Sequence, residues 1–241
     1  MSARAQPAQQ APPVQKLRVR YAKRGRARFT SSRDFGRAFE RALRRAGVPM
    51  AYSSGFSPHP RISYANASPT GAASEAEYLE IGLAAACDAG AVRLALDAAL
   101  PPGLDVVEVV VAPTGALADL LTGSSWQIDL VGPTLEVARE AAAAVLAEES
   151  VVVQRMTKSG LRAFDVRPAV VSLTAEAAEA GPRVRLVTRH QEPLVRPDDV
   201  LQAMSALVPE FAPAEVPILT RLSQGVLEPE TGEIGDPFAP R

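Results

Sequence analysis

Apolar and basic residues alternate through Leu17-Arg18-Val19-Arg20-Tyr21, which is strand periodicity with Arg18 and Arg20 on one face. Lys23-Arg24-Gly25-Arg26 reads as a basic turn, and Ala27 to Thr30 as a short continuation of the strand. Ser31 then opens a helix, since its hydroxyl can cap a backbone N–H three residues on and Asp34 suits the positive helix end. Phe35, Ala38, Phe39, Ala42, Leu43 and Ala46 recur at helical spacing and predict one buried stripe. Arg37, Arg41, Arg44 and Arg45 fall off that stripe, and Gly47 and Pro49 end the helix. Residues 52–61 hold two prolines and a glycine and predict an ordered loop. Strands follow at 62–65, 77–83 and 104–112, with a helix from Asp88 to Leu100 between the last two.

The second half repeats this order less closely. Residues 125–131 predict a strand, 134–149 an alanine-rich helix and 151–158 another strand. A turn at Gly160 leads into 162–173, which extends the sheet, and 183–189 alternates as a further strand. A helix runs from Arg196 to Leu207, and 216–222 closes the unit as an edge strand, because Pro217 would break an interior ladder.

The order of elements predicts an α+β protein of two tandem ferredoxin-like (βαββαβ) units with antiparallel sheets and disordered termini. A single larger α+β domain is the alternative. The expected boundaries are a disordered lead at 1–15, a first unit at 16–112, a linker at 113–124 with a helical turn near 117–121, a second unit at 125–226, and a disordered acidic tail at 227–241. The chain is 241 residues long, 47% hydrophobic and 22% charged, which suits that size of fold. No run approaches the ~18 uncharged apolar residues of a membrane span, and no secretory signal pattern is present. The single cysteine, Cys87, excludes an internal disulfide and a cysteine-ligated cluster within this chain, so the expected compartment is the cytoplasm and no cofactor is expected here.

Charge changes this picture more than composition does. The net charge is −1, but residues 16–61 hold 13 Lys and Arg against two acids, while 62–153 hold two Arg against 13 acids. Such segregation points to a polyanion-facing surface, unless the two blocks neutralise each other in space. Guanidinium groups donate bidentately to phosphate and stack on bases, so an RNA-binding set is expected of Lys23, Arg24, Arg26, Arg37, Arg41, Arg44, Arg45 and Arg61, with Lys158 and Arg162 from the second half. Tyr21, Phe29, Tyr52 and Phe56 lie close in sequence and could stack on unpaired bases.

Within the loop, Pro58 and Pro60 stiffen the backbone on both sides of His59. A fixed imidazole beside Arg61 and Tyr52 is a candidate catalytic set for acid–base work on a phosphodiester, and equally a hydrogen-bonded structural histidine. The two histidines, His59 and His190, stand 131 residues apart and give no zinc spacing. No nucleotide-binding glycine fingerprint is present.

The runs from Arg20 to Asp34, from Arg37 to Pro49 and from Tyr52 to Pro60, followed by Glu75-Ala76-Glu77-Tyr78, resemble the radical-SAM-associated protein family. The likeness is dense over 17–83 and thins through 158–162 and 220–225. It implies a radical SAM protein as partner, on another chain, carrying the iron–sulfur cluster and S-adenosylmethionine. It supplies no catalytic residues, and it departs at Ser31-Ser32, where the family places Ser-His. Tandem ferredoxin-like units are also similar to the RNA-processing ribonucleases of CRISPR systems, an analogy of fold alone. The expected function is an RNA-binding accessory to a radical SAM enzyme in tRNA or rRNA modification or processing. The alternatives are a metal-independent RNA-processing enzyme using His59, and a protein–protein adaptor docking through the basic helix.

Overall fold

Leu17, Val19 and Tyr21 share one face of the first strand, β1 (Gln15–Lys23), and all three are buried. Against that face packs α1 (Ser32–Arg45) through Phe35, Phe39, Ala42 and Leu43. β2 (Ile62–Ala65) and β3 (Ala73–Leu83) follow, then α2 (Ala89–Ala99), which adds Val92 and Leu96 to the same core, and β4 (Leu104–Val111). Leu79, Ile81 and Leu83 of β3 complete that core. A fully buried Phe or Leu side chain contributes roughly 1.5–3 kcal/mol of transfer free energy, so this one layer of helices on one sheet face carries most of the unit's stability. The strands run in the order β4-β1-β3-β2, and every pairing is antiparallel.

The structure is a computed structural model that describes residues 9–157 and 160–239. The chain divides into two compact units after Asp119. The second begins with β5 (Gly123–Asp129) and α3 (Leu135–Ala147), whose Ala138, Ala141, Ala142 and Val145 are buried. A hairpin, β6 (Val152–Thr157) with β7 (Gly160–Asp165), comes next, then β8 (Val170–Ala178), β9 (Gly181–Arg189) and α4 (Pro197–Leu207). β10 (Ile218–Leu227) and β11 (Ile234–Gly235) close it. The sheet order is β10-β5-β9-β8, antiparallel throughout, with β11 on β10. The described residues thus form a mixed α+β fold with four α-helices, none long and apolar enough to cross a membrane.

Several expectations change. Ala27 to Thr30 do not continue β1: Gly25, at φ 53°, turns the chain into a 3-10 turn over Gly25–Phe29. The segment 162–173 does not extend the sheet as one strand. Its first part, β7, pairs with β6 as a separate two-stranded hairpin, and the sheet resumes only at β8. The closing strand is longer than the pattern suggests. It starts just after Pro217, where no ladder N–H is lost, and carries β11 beyond β5, so it is not a bare edge. Within the segments expected to be disordered, some described residues make backbone pairings. The Val14 N–H donates to Leu83 O at 2.8 Å, Gln15 opens β1, and Val226 and Leu227 pair with Gly235 and Ile234.

Candidate functional site

The arginine helix is set by local chemistry. The Ser31 side chain accepts from the Asp34 N–H at 3.2 Å and donates to the Asp34 carboxylate at 2.6 Å, which fixes the first turn. Arg44 and Arg45 sit in the last turn, where cations complement the helix dipole. At ~100° per residue, Arg33, Arg37, Arg41 and Arg44 fall within about 80° of arc, opposite Phe35 and Phe39. All four are exposed, and none has a carboxylate partner among the described residues. The row extends about 16 Å along the helix axis. Arg45 is also exposed and donates to Ala99 O at 3.3 Å. Arg33 was not among the expected binding residues, although its spacing of four from Arg37 is legible in the sequence.

Other basic residues are spoken for. Lys16 meets Glu80 at 2.9 Å, Arg18 meets the same carboxylate at 3.4 Å, and Arg20 meets Glu108 at 2.9 Å. The charge blocks therefore neutralise each other on β1 but not on α1. Arg24, half exposed, is clasped by Glu75 and bridges to Asp105 at 2.9 Å. Its hydrogen bonds to Glu75 raise its pKa further above the ordinary arginine value. The Arg24 N–H also donates to Gly103 O, and Gly103, at φ 87°, would place a Cβ 2.7 Å from Arg24 O. Arg26 is exposed, and Arg28 lies over the Phe29 ring at 4.7 Å. Arg162, in the second unit, lies 3.8 Å from Glu192, and Lys158 falls outside the described residues.

Lys23 departs most from expectation. It is 4% exposed, so its ammonium cannot serve a surface phosphate. Its Nζ donates to Ser68 Oγ at 3.2 Å, and the Ser68 N–H donates to Glu77 Oε2 at 3.0 Å. Glu77 is 1% exposed. Lys23 and Glu77 form the floor of a cavity of about 300 Å³. Its buried wall is Tyr21 and Phe35, stacked at 4.2 Å, with Tyr64 edge-on to Phe35 at 6.1 Å. Thr30, Ser32, Asn66 and Ala67 surround the mouth. Burial, with the Glu40 carboxylate adding to it, pushes the Tyr64 phenol up to about 12, so its hydroxyl stays protonated and able to donate. The signal for this site is parity: Lys23 shares its strand face with Leu17, Val19 and Tyr21, and Glu77 shares its face with Leu79 and Ile81.

The loop at 52–61 is closed by a bridge between Tyr52 and Pro60. The His59 N–H donates to Ser53 Oγ at 3.0 Å, and Arg61 Nε donates to Tyr52 O at 3.1 Å. All three residues of the expected catalytic set are exposed. The His59 imidazole has no hydrogen-bond partner among the described residues, so nothing there fixes its tautomer or aims it. No group of three or more His, Cys, Asp and Glu among the described residues could hold a metal ion.

Over residues 16–197 the chain matches the family described as "Uncharacterized protein conserved in bacteria (DUF2344)". The chain belongs to that family. The part of this DUF2344 protein that matches contains the arginine row and every residue lining the cavity. Among solved structures it is similar to an unknown protein from Galdieria sulphuraria. That chain is 20% identical, with the alignment covering 86% of this chain and 98% of the other, at a TM-score of 0.24. No curated protein matches the DUF2344 chain.

Proposed function

We propose that this protein binds RNA through the outer face of α1 and acts as an accessory to a separate radical SAM enzyme in tRNA or rRNA modification or processing. The observation that carries the reading is the row Arg33, Arg37, Arg41 and Arg44, exposed and without carboxylate partners, while the cations of β1 are paired. Four guanidinium groups on ~16 Å of helix match a run of phosphates in a single strand, and phosphate contacts dominate such affinity. Arg26 extends the surface at the helix entry.

The radical SAM partner is supported by the resemblance over residues 17–83 and by the single cysteine, which leaves a cluster to be ligated elsewhere. The iron–sulfur cluster and S-adenosylmethionine would belong to that partner. We read both units as ferredoxin-like. The orders β4-β1-β3-β2 and β10-β5-β9-β8 support this, with the β6–β7 hairpin as an insertion in the second. Filter binding with single-stranded RNA across a salt series tests the reading. Affinity that falls steeply with salt is expected, and no binding at low salt would overturn it. Recovery of the radical SAM chain with the protein from nuclease-treated lysate tests the partner.

A further inference from the structure

We infer that the cavity floored by Lys23 and Glu77 receives one unpaired nucleobase of the RNA held along α1. This deepens, and rests on, the RNA-binding reading. The two features share one helix: Ser32 and Phe35 line the cavity, and Arg33 stands between them in sequence on the exposed row. Phe35 reaches the cavity from the face opposite the row, so a strand whose phosphates follow the row meets the cavity mouth by rounding the N-terminal end of α1 at Ser32.

The chemistry of the cavity suits a flat heterocycle better than a phosphate or an acyl chain. The volume of about 300 Å³ admits a base with part of its ribose. The Tyr64 ring, 46% exposed, supplies an apolar face for the base, with buried Phe35 edge-on behind it. Its edge would meet an ammonium, which only donates, and a carboxylate, which only accepts, held side by side through Ser68. A mixed donor–acceptor floor reads a Watson–Crick edge, whereas a phosphate would meet repulsion from Glu77. The protonated Tyr64 hydroxyl adds a donor near the mouth.

The test compares two probes on the full chain: a 12-nucleotide single-stranded RNA, and inorganic polyphosphate of matched charge, which has no bases. Two variants are used. Ala67→Trp fills the mouth from an exposed position, and Glu77→Gln keeps the shape of the floor while removing its charge. Removing a carboxylate should strengthen polyanion binding by electrostatics alone, so weaker RNA binding by Glu77→Gln has no electrostatic explanation. The expected result is about a tenfold loss of RNA affinity in both variants, within the range of stacking for one base, with polyphosphate affinity not reduced. Unchanged RNA affinity in Ala67→Trp overturns the inference and leaves the arginine row standing. Equal loss for both probes also overturns it. If the unaltered protein binds neither probe, the RNA-binding reading itself has failed and the inference falls with it.

Discussion

The rings of Tyr21 and Phe35 stack face to face, with centroids 4.2 Å apart and planes 5° apart, and so join β1 to the first turn of α1. Phe35 is also within edge-on reach of Tyr64 and stacked on Phe39 at 5.6 Å. It is the point at which the core of the first unit becomes the wall of the cavity. Phe35→Ala should destabilise the protein by about 3–5 kcal/mol, as for a buried aromatic truncated in a packed core. Phe35→Leu should cost less, because it keeps more of the buried volume than Ala while losing the ring pairing. Urea denaturation of the two variants checks the order.

The arginine row should show itself in salt dependence more than in stability. Replacing Arg37 and Arg41 together by Gln should make the slope of log affinity against log salt shallower by about 1.4, two phosphate contacts' worth for a single strand. Stability should move by no more than about 0.5 kcal/mol per site, because both side chains are exposed. Arg24→Gln is the contrast. Its guanidinium is already occupied by Glu75 and Asp105, so the slope should hold, and the half-exposed pair should cost about 0–1 kcal/mol of stability. Filter binding from low to physiological salt separates these outcomes.

His190 should make the second unit acid-sensitive. Burial holds its pKa below the ordinary 6.5. Leu121 O, 2.6 Å from Nδ1, opposes that fall, and the nearby Arg221 charge adds to it. With Nδ1 donating to that carbonyl, Nε2 accepts from the Ser124 hydroxyl at 2.8 Å, an arrangement that needs the neutral ring. The unfolded chain takes up a proton near 6.5 and the folded chain does not until lower pH, so stability is complete above that value and falls as the pH drops below it. Urea midpoints at pH 7.5 and 5.5 should differ, and His190→Asn should shrink the difference.

Gly103 should not tolerate a side chain. Its φ of 87° and the 2.7 Å approach of a built Cβ to Arg24 O mean that Gly103→Ala must strain the backbone or open the contact. A loss of more than about 1 kcal/mol is expected in thermal melting. RNA affinity should change far less than in the Arg37 and Arg41 variant, since the row lies on α1.

What the sequence made legible was local. The Ser31–Asp34 cap and the Phe35-Phe39-Leu43 stripe depend on neighbours within one turn, and α1 forms where they predict it. Ala27 to Thr30 defy a local reading because a 3-10 turn with alternating basic residues mimics a strand over so short a run. The hairpin's separation from the sheet is not legible locally, because period two says that a segment is a strand and not which strand it joins. Lys23 and Arg24 look alike in sequence, as neighbouring cations of one basic turn, and nothing local marks Glu77. Their fates diverge through the pairing of β1 with β3 and β4, which sets Tyr21 opposite Glu77 and Lys23 opposite Leu104. That register is a property of residues more than 50 positions apart, and no local window contains it.

The β6–β7 hairpin enters and leaves the second unit at one spot: the Val166 N–H donates to Val151 O at 2.9 Å. The two ends of the excursion are thus already spliced across a single peptide group. Relatives can lengthen, shorten or drop the loop without re-threading the sheet, and a protein engineer could graft a reporter at its tip. The penalty for complete excision would fall on the two side chains that it tucks inward, Val153 and Phe164, and on the Arg155 tether to Asp199.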